Sequence, residues 1–197
     1  MSEAIKLIVG LGNPGGEYDS TRHNAGADFV TQLARSQSCT MQPEGRFYGL
    51  SGRISLQDLN IRLLIPTTFM NRSGKAVAAV SQFYKIEPSS ILVVHDELDF
   101  APGTAKLKKA GGHGGHNGLR DIISSLGNSA DFYRLRIGIG HPGNSKAVTG
   151  YVLKRAPSNQ QALINDTINE AISVLPLIFD NQWEKATTQL HSFSATI

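Results

Sequence analysis

Along nearly the whole of this chain, short runs of β-branched and other apolar residues alternate with stretches of helical periodicity, and that alternation most restricts the fold. Strand-like segments fall at 5–10, 46–56, 60–65, 91–95, 104–109 and 133–139, and helix-like ones at 24–36, 73–85 and Leu119–Leu126. Elements in this order bury their apolar faces as layers, so the pattern predicts an α/β fold, with a mixed, mostly parallel twisted sheet flanked by helices on both faces. The chain has 197 residues, 40% hydrophobic and 18% charged, which is enough apolar material for one core at a length below about 250 residues. One domain over 1–197 is expected. Two helices should close the chain. Pro157-Ser158 followed by Gln161 reads as a capping box, Ile164, Ile168, Ile172 and Leu175 recur at helical spacing, and Pro176 should bend or end that helix.

In open sheets with a parallel core, ligands sit beyond the carboxyl ends of the strands, so the residues that follow each strand matter most. Asn13 follows the first strand, Asn71 the one ending at Ile65, and Asp96 the run Ile91–Val94. Two polar clusters lie in glycine-loosened loops, where the backbone can approach a ligand. One is Thr21-Arg22-His23-Asn24-Ala25-Gly26. The other is Gly111-Gly112-His113-Gly114-Gly115-His116-Asn117-Gly118.

Histidine titrates nearest neutrality, so His23 is the natural proton acceptor, and Asp96 at a strand end can supply the carboxylate that fixes its tautomer. On sequence grounds a solvated helix-entry histidine competes with that reading. No serine stands in a G-x-S-x-G elbow, and Cys39 has neither an adjacent base nor a disulfide partner, so water is the expected attacker, on an ester. Asn13, Asn71 and Asn117 can hold a substrate or an oxyanion, although a turn alone would explain Asn13. Gly10-Leu11-Gly12-Asn13-Pro14-Gly15 satisfies the dinucleotide-binding G-x-G-x-x-G pattern, but the polar stretch after it does not continue as an amphipathic helix, so the match reads as a decoy. His113 and His116, set among glycines, lack the i, i+4 presentation of zinc hydrolases, and neither metal nor cofactor is expected.

The net charge of +3 is unevenly spread. Residues 106–155 hold nine Lys or Arg against two acids, and the rest ten against fourteen, giving +7 and −4. Lys106 with Lys108, and Arg134 with Arg136, stand two apart on strands, so each pair faces one side and the two pairs together would clamp phosphate. A solvated sheet edge is the plainer alternative. The opening MSEAIKLIVGLGNPGG has no basic leader, and no apolar stretch approaches about 18 residues, so a cytoplasmic protein without a membrane partner is expected.

Taken together, GLGNPGGEYDSTRHNAG at 10–26, PTTFMNRSGKAV at 66–77, HDELDFAPG at 95–103, GGHGGHNGLRDI at 111–122 and YRLRIGIGHPG at 133–143 closely resemble bacterial-type peptidyl-tRNA hydrolases. The resemblance implies cleavage of the ester between a peptide and the terminal adenosine of tRNA, with contacts to the acceptor stem and 3′ end; a monomer is the default expectation. It implies that His23 is the general base and Asp96 its orienting carboxylate. Asn13, Asn71 and Asn117 would bind substrate and position water, with Tyr18, Phe69, Met70, Gly114 and His116 lining the same cleft. Lys106, Lys108 and Arg136 would bind tRNA phosphate. Asn144-Ser145-Lys146 departs from the family pattern in being shorter and less basic.

Overall fold

A computed structural model describes residues 4–196; residues 1–3 of the opening segment and residue 197 lie outside it. Seven strands form one sheet: β1 (Leu7–Gly10), β2 (Gln42–Glu44), β3 (Gly49–Leu56), β4 (Leu59–Pro66), β5 (Ile91–Glu97), β6 (Ala105–Lys109) and β7 (Tyr133–Gly138), in the order β2-β3-β4-β1-β5-β7-β6. The inner pairings β4–β1, β1–β5 and β5–β7 are parallel, whereas β2–β3, β3–β4 and β6–β7 are antiparallel. The sheet is therefore mixed, with a parallel centre and antiparallel margins, rather than mostly parallel. β1 and the first four residues of β5 are buried and apolar on both faces, as strands covered on two sides must be.

Two apolar clusters fill the space on either side of the sheet. On one face, α1 (Ala25–Ser36), α5 (Ser158–Ser173), α6 (Leu175–Phe179) and α7 (Trp183–Ser192) contribute Phe29, Leu33, Ile164, Ile168, Leu175 and Leu190. On the other, α2 (Ser73–Tyr84) and α3 (Asn117–Ser125) contribute Val77, Val80, Leu119 and Ile122. Each fully buried side chain of this size contributes about 1.5–3 kcal/mol of transfer free energy. Gly26 lets α1 lie directly on β5, since a Cβ there would stand 2.1 Å from the carbonyl oxygen of Val94 and 2.7 Å from the amide of Leu11.

Several boundaries differ from the sequence expectation. A 3-10 turn at Gly45–Phe47 and a left-handed Tyr48 (φ +51°) precede β3, so that strand begins at 49 rather than 46. α3 begins at Asn117 because His116 caps it. The C-terminal region holds α4 (Val148–Val152) as well as α5, α6 and α7, not two helices. No capping box forms at Ser158: Pro157 is the cap residue, and its carbonyl accepts the Gln161 amide at 2.8 Å. The helix does break before Pro176, as expected: α5 ends at Ser173, and the proline sits in the first turn of α6, where its missing N–H costs nothing. Ser158–Phe179 is apolar enough by length and composition to cross a membrane, yet Ile164, Ile168, Ala171, Val174 and Leu175 are buried in the core.

Candidate active site

Four segments meet at the carboxyl ends of the parallel strands. The loop after β1 brings Asn13, a 3-10 turn at Arg22–Asn24 brings His23, β5 ends in His95-Asp96-Glu97, and the β6–α3 loop brings His116, with Asn117 opening α3 behind it. The loop from β4 to α2 adds Phe69, Met70 and Asn71. The glycine stretch after β1 runs into a short 3-10 turn at Gly16–Tyr18, and α1 starts only at Ala25, so the glycines do not lead directly into a helix N-terminus as the dinucleotide pattern requires.

The turn carrying His23 is held by Arg22. Its guanidinium donates to the carbonyl oxygens of Tyr151 (3.2 Å), Lys154 (3.4 Å) and Arg155 (3.3 Å) and lies 3.9 Å from the centroid of the Tyr151 ring. A cation placed on carbonyls just beyond α4 satisfies acceptors the helix cannot satisfy itself. His23 thereby keeps a fixed approach to β5.

Asp96 is buried, and its carboxylate accepts from two imidazoles. His23 Nδ1–H donates to it at 2.9 Å, and His116 Nε2–H donates to Oδ1 at 2.8 Å. The protons on His116 are assigned by its other nitrogen, because Nδ1 accepts the amides of Gly118 (3.2 Å) and Leu119 (3.4 Å) at the start of α3. With Nδ1 of His23 committed to Asp96, Nε2 of a residue lining the cleft retains the lone pair. Burial lowers the pKa of His23, but the charge and hydrogen bond of Asp96 raise it by more, leaving it above the ordinary imidazole value. Burial would raise that of Asp96, and the two imidazoles outweigh it and hold the carboxyl well below the usual range.

The ligating atoms of His23, Asp96 and His116 lie within 4.8 Å of one another, close enough to surround a cation. The donor set fits one poorly, because both imidazole N–H groups point at the carboxylate, and His116 would have to give up its capping of α3 to turn a lone pair inward.

Around this centre runs an open cleft of about 1140 Å³. Asn13 is clamped in place: its N–H donates to Asn24 Oδ1 (2.8 Å), its carbonyl accepts from Asn24 Nδ2 (3.0 Å), and its Oδ1 accepts the Met70 amide (2.8 Å). Asn117 Oδ1 accepts from Arg120 (2.8 Å), while Asn71 is exposed. Tyr18 packs edge-on against Phe69, which is 56% exposed, an apolar shelf at the mouth. Gly114, at φ +58°, takes the left-handed conformation in the loop that delivers His116.

The two basic pairs share one face, with Lys106 opposite Arg136 and Lys108 opposite Arg134, but they do not form a four-cation clamp. Arg134 is 2% exposed and spends its terminal nitrogens on the carbonyls of Gly111 and Gly112, so the glycine loop covers it. Arg136 pairs with Glu97 at 2.9 Å and, with Lys106, flanks Phe100. Sequence reasoning also passed over His95, whose Nδ1–H donates to the Asp96 carbonyl at 2.7 Å. A histidine abutting the carboxylate at a strand end was the available signal.

A histidine–carboxylate centre in an open cleft, at the strand ends of a parallel core, defines the molecule as an α/β enzyme. The chain belongs to the peptidyl-tRNA hydrolase family, whose sequence model matches residues 7–196. It is 57% identical to the peptidyl-tRNA hydrolase of Vibrio vulnificus, over 99% of this chain and 100% of that one. It is 60% identical to that of Saccharophagus degradans, over 95% of each. The crystal structure of peptidyl-tRNA hydrolase from Acinetobacter baumannii superposes with a TM-score of 0.94 at 49% identity, covering 98% of this chain and 99% of that one.

Proposed function

We propose that this chain carries out peptidyl-tRNA hydrolysis, the activity of its family, with water activated by His23. The imidazole Nε2 takes a proton from a water molecule, and the oxygen adds to the ester carbonyl that joins the peptide to the ribose of the terminal adenosine. The C–O bond to the ribose then breaks, and the imidazolium returns its proton to the departing hydroxyl oxygen. Asp96 fixes the productive tautomer and stabilises the imidazolium. Asn13, Asn71 and Asn117 hold the substrate and the oxyanion, with Tyr18, Phe69, Met70, Gly114 and His116 lining the cleft. Lys106, Lys108 and Arg136 take acceptor-stem phosphates while the 3′ end enters the cleft. The enzyme acts as a single-domain monomer in the cytoplasm.

One observation carries this reading: the Nδ1–H···Asp96 contact at 2.9 Å, which leaves the opposite nitrogen of His23 as a base. The test is release of N-acetylaminoacyl product from N-acetylaminoacyl-tRNA, with EDTA present, by the wild type and by His23→Ala. Cleavage lost in the variant supports the assignment, and equal rates overturn it.

A further inference from the structure

We infer that His95 and Arg134 form a positioning pair that ties the glycine loop to Asp96, the proposed orienting carboxylate. Both residues are buried, at 2% exposure each, and each keeps one polar atom without a partner: Nε2 of His95 and Nε of Arg134. The two orphans are complementary. The Nδ1–H of His95 is spent on the Asp96 carbonyl, so Nε2 holds a lone pair, whereas Nε of a guanidinium can only donate.

The strand register brings them together. β5 and β7 are parallel neighbours with Val93 opposite Arg134 and His95 opposite Arg136, so the side chains of His95 and Arg134 leave one face on a short diagonal. Buried polar groups are almost always paired; the two atoms do not meet directly, and one bridging water, donating to Nε2 and accepting from Nε–H, completes both. Burial, with the neighbouring His116 and the Arg134 guanidinium, pushes His95 down to about 3, so the lone pair persists at neutral pH.

Two connections then converge on one carboxylate. Arg134 holds the carbonyls of Gly111 and Gly112, at the root of the loop that delivers His116 to Asp96. His95 bonds the Asp96 backbone and packs edge-on against the His116 ring, with centroids 5.0 Å apart. The pair makes the position of the loop and the orientation of the carboxylate one mechanical unit, acting through Asp96 and His116.

The inference rests on the assignment of His23 and Asp96, and the experiment separates the two. Rates with N-acetylaminoacyl-tRNA are measured from pH 5 to 9 for the wild type, His23→Ala, His95→Phe, His95→Gln, Arg134→Met and the His95→Phe/Arg134→Met double variant. His95→Phe should lower kcat at least tenfold with KM little changed and displace the acid limb of the profile. His95→Gln, which keeps an acceptor near the Nε2 position, should recover most of the loss, and the double variant should be no worse than the poorer single. Additive losses, a change confined to KM, or an unchanged profile would overturn the pair. An active His23→Ala would instead overturn the underlying assignment. Nitrogen NMR of the wild-type imidazoles needs no variant to fold: His95 should be the Nδ1–H tautomer and stay neutral from pH 5 to 8. A His95 that protonates in that range would sink the inference.

Discussion

The His23–Asp96–His116 centre and the Lys106–Lys108–Arg136 margin lie at one end of the same sheet, yet they are built differently. In the centre every proton has an address, because two imidazoles are fixed by a buried carboxylate and by the amides of α3. At the margin, side chains stand on an antiparallel edge, with Arg136 paired to Glu97 and, with Lys106, flanking Phe100. The centre works through angstrom-scale geometry. In the proposed function the margin acts through summed charge, which reaches roughly 8 Å at physiological salt. Mutations in the two should therefore fail in different ways.

The largest expected effect is in the centre. His23→Ala should lower kcat by about 10³–10⁴-fold with KM nearly unchanged, as read in single-turnover hydrolysis. Asp96→Asn should cost about 10²–10³-fold, since an amide can stabilise the wrong tautomer. It also tests the electrostatics. In the proposed mechanism His23 acts as a neutral base, so activity in the wild type should fall as pH drops through a midpoint above 6.5. Removing the carboxylate should move that midpoint down. A midpoint that stays put would detach Asp96 from the titration.

Lys108→Ala should leave kcat within about twofold, raise KM, and reduce the slope of log(kcat/KM) against log salt concentration by about 1. If it lowered kcat at saturating substrate instead, the contrast between margin and centre would fail.

The smallest effect concerns a second carboxylate for comparison. Asp28, in the first turn of α1, has no imidazole to answer it, and burial together with Asp19 pushes it up to about 6. Its folded value exceeds the unfolded one, so the stability it contributes is present at low pH and lost as pH rises through about 6. Asp28→Asn should raise stability at pH 8 by about 1–2 kcal/mol in urea titrations and by less at pH 5.

Much of this was legible in the sequence, for physical reasons. β1, β5 and α1 announce themselves through continuous or periodic apolar residues such as Leu7–Val9 and Phe29–Leu33. His23, Asn13 and Asp96 fall where strands end and polar loops begin. What escaped was decided by tertiary cover. Arg134 and Arg136 have the same residue type and the same face, and only the placement of Gly111 and Gly112 withdraws one of them into the protein. A strand read as ending at residue 95 concealed that His95 faces the core at its end. At Ser158 a local signal misled, because the chain reached equivalent backbone satisfaction through the Pro157 carbonyl.

The seat of α1 on β5 has one more consequence. The separation of His23 from Asp96 is calibrated by an atom that is missing three residues further along. A methyl group at position 26 would start 2.1 Å from the Val94 carbonyl oxygen. Relief requires lifting the front of the helix by on the order of 1 Å, the distance over which a hydrogen bond to a carboxylate is lost. An inert hydrocarbon substituent with no polar atom would then uncouple the imidazole from its carboxylate. The chemical tolerance of the site is, in that sense, written in the steric tolerance of a helix resting on a strand.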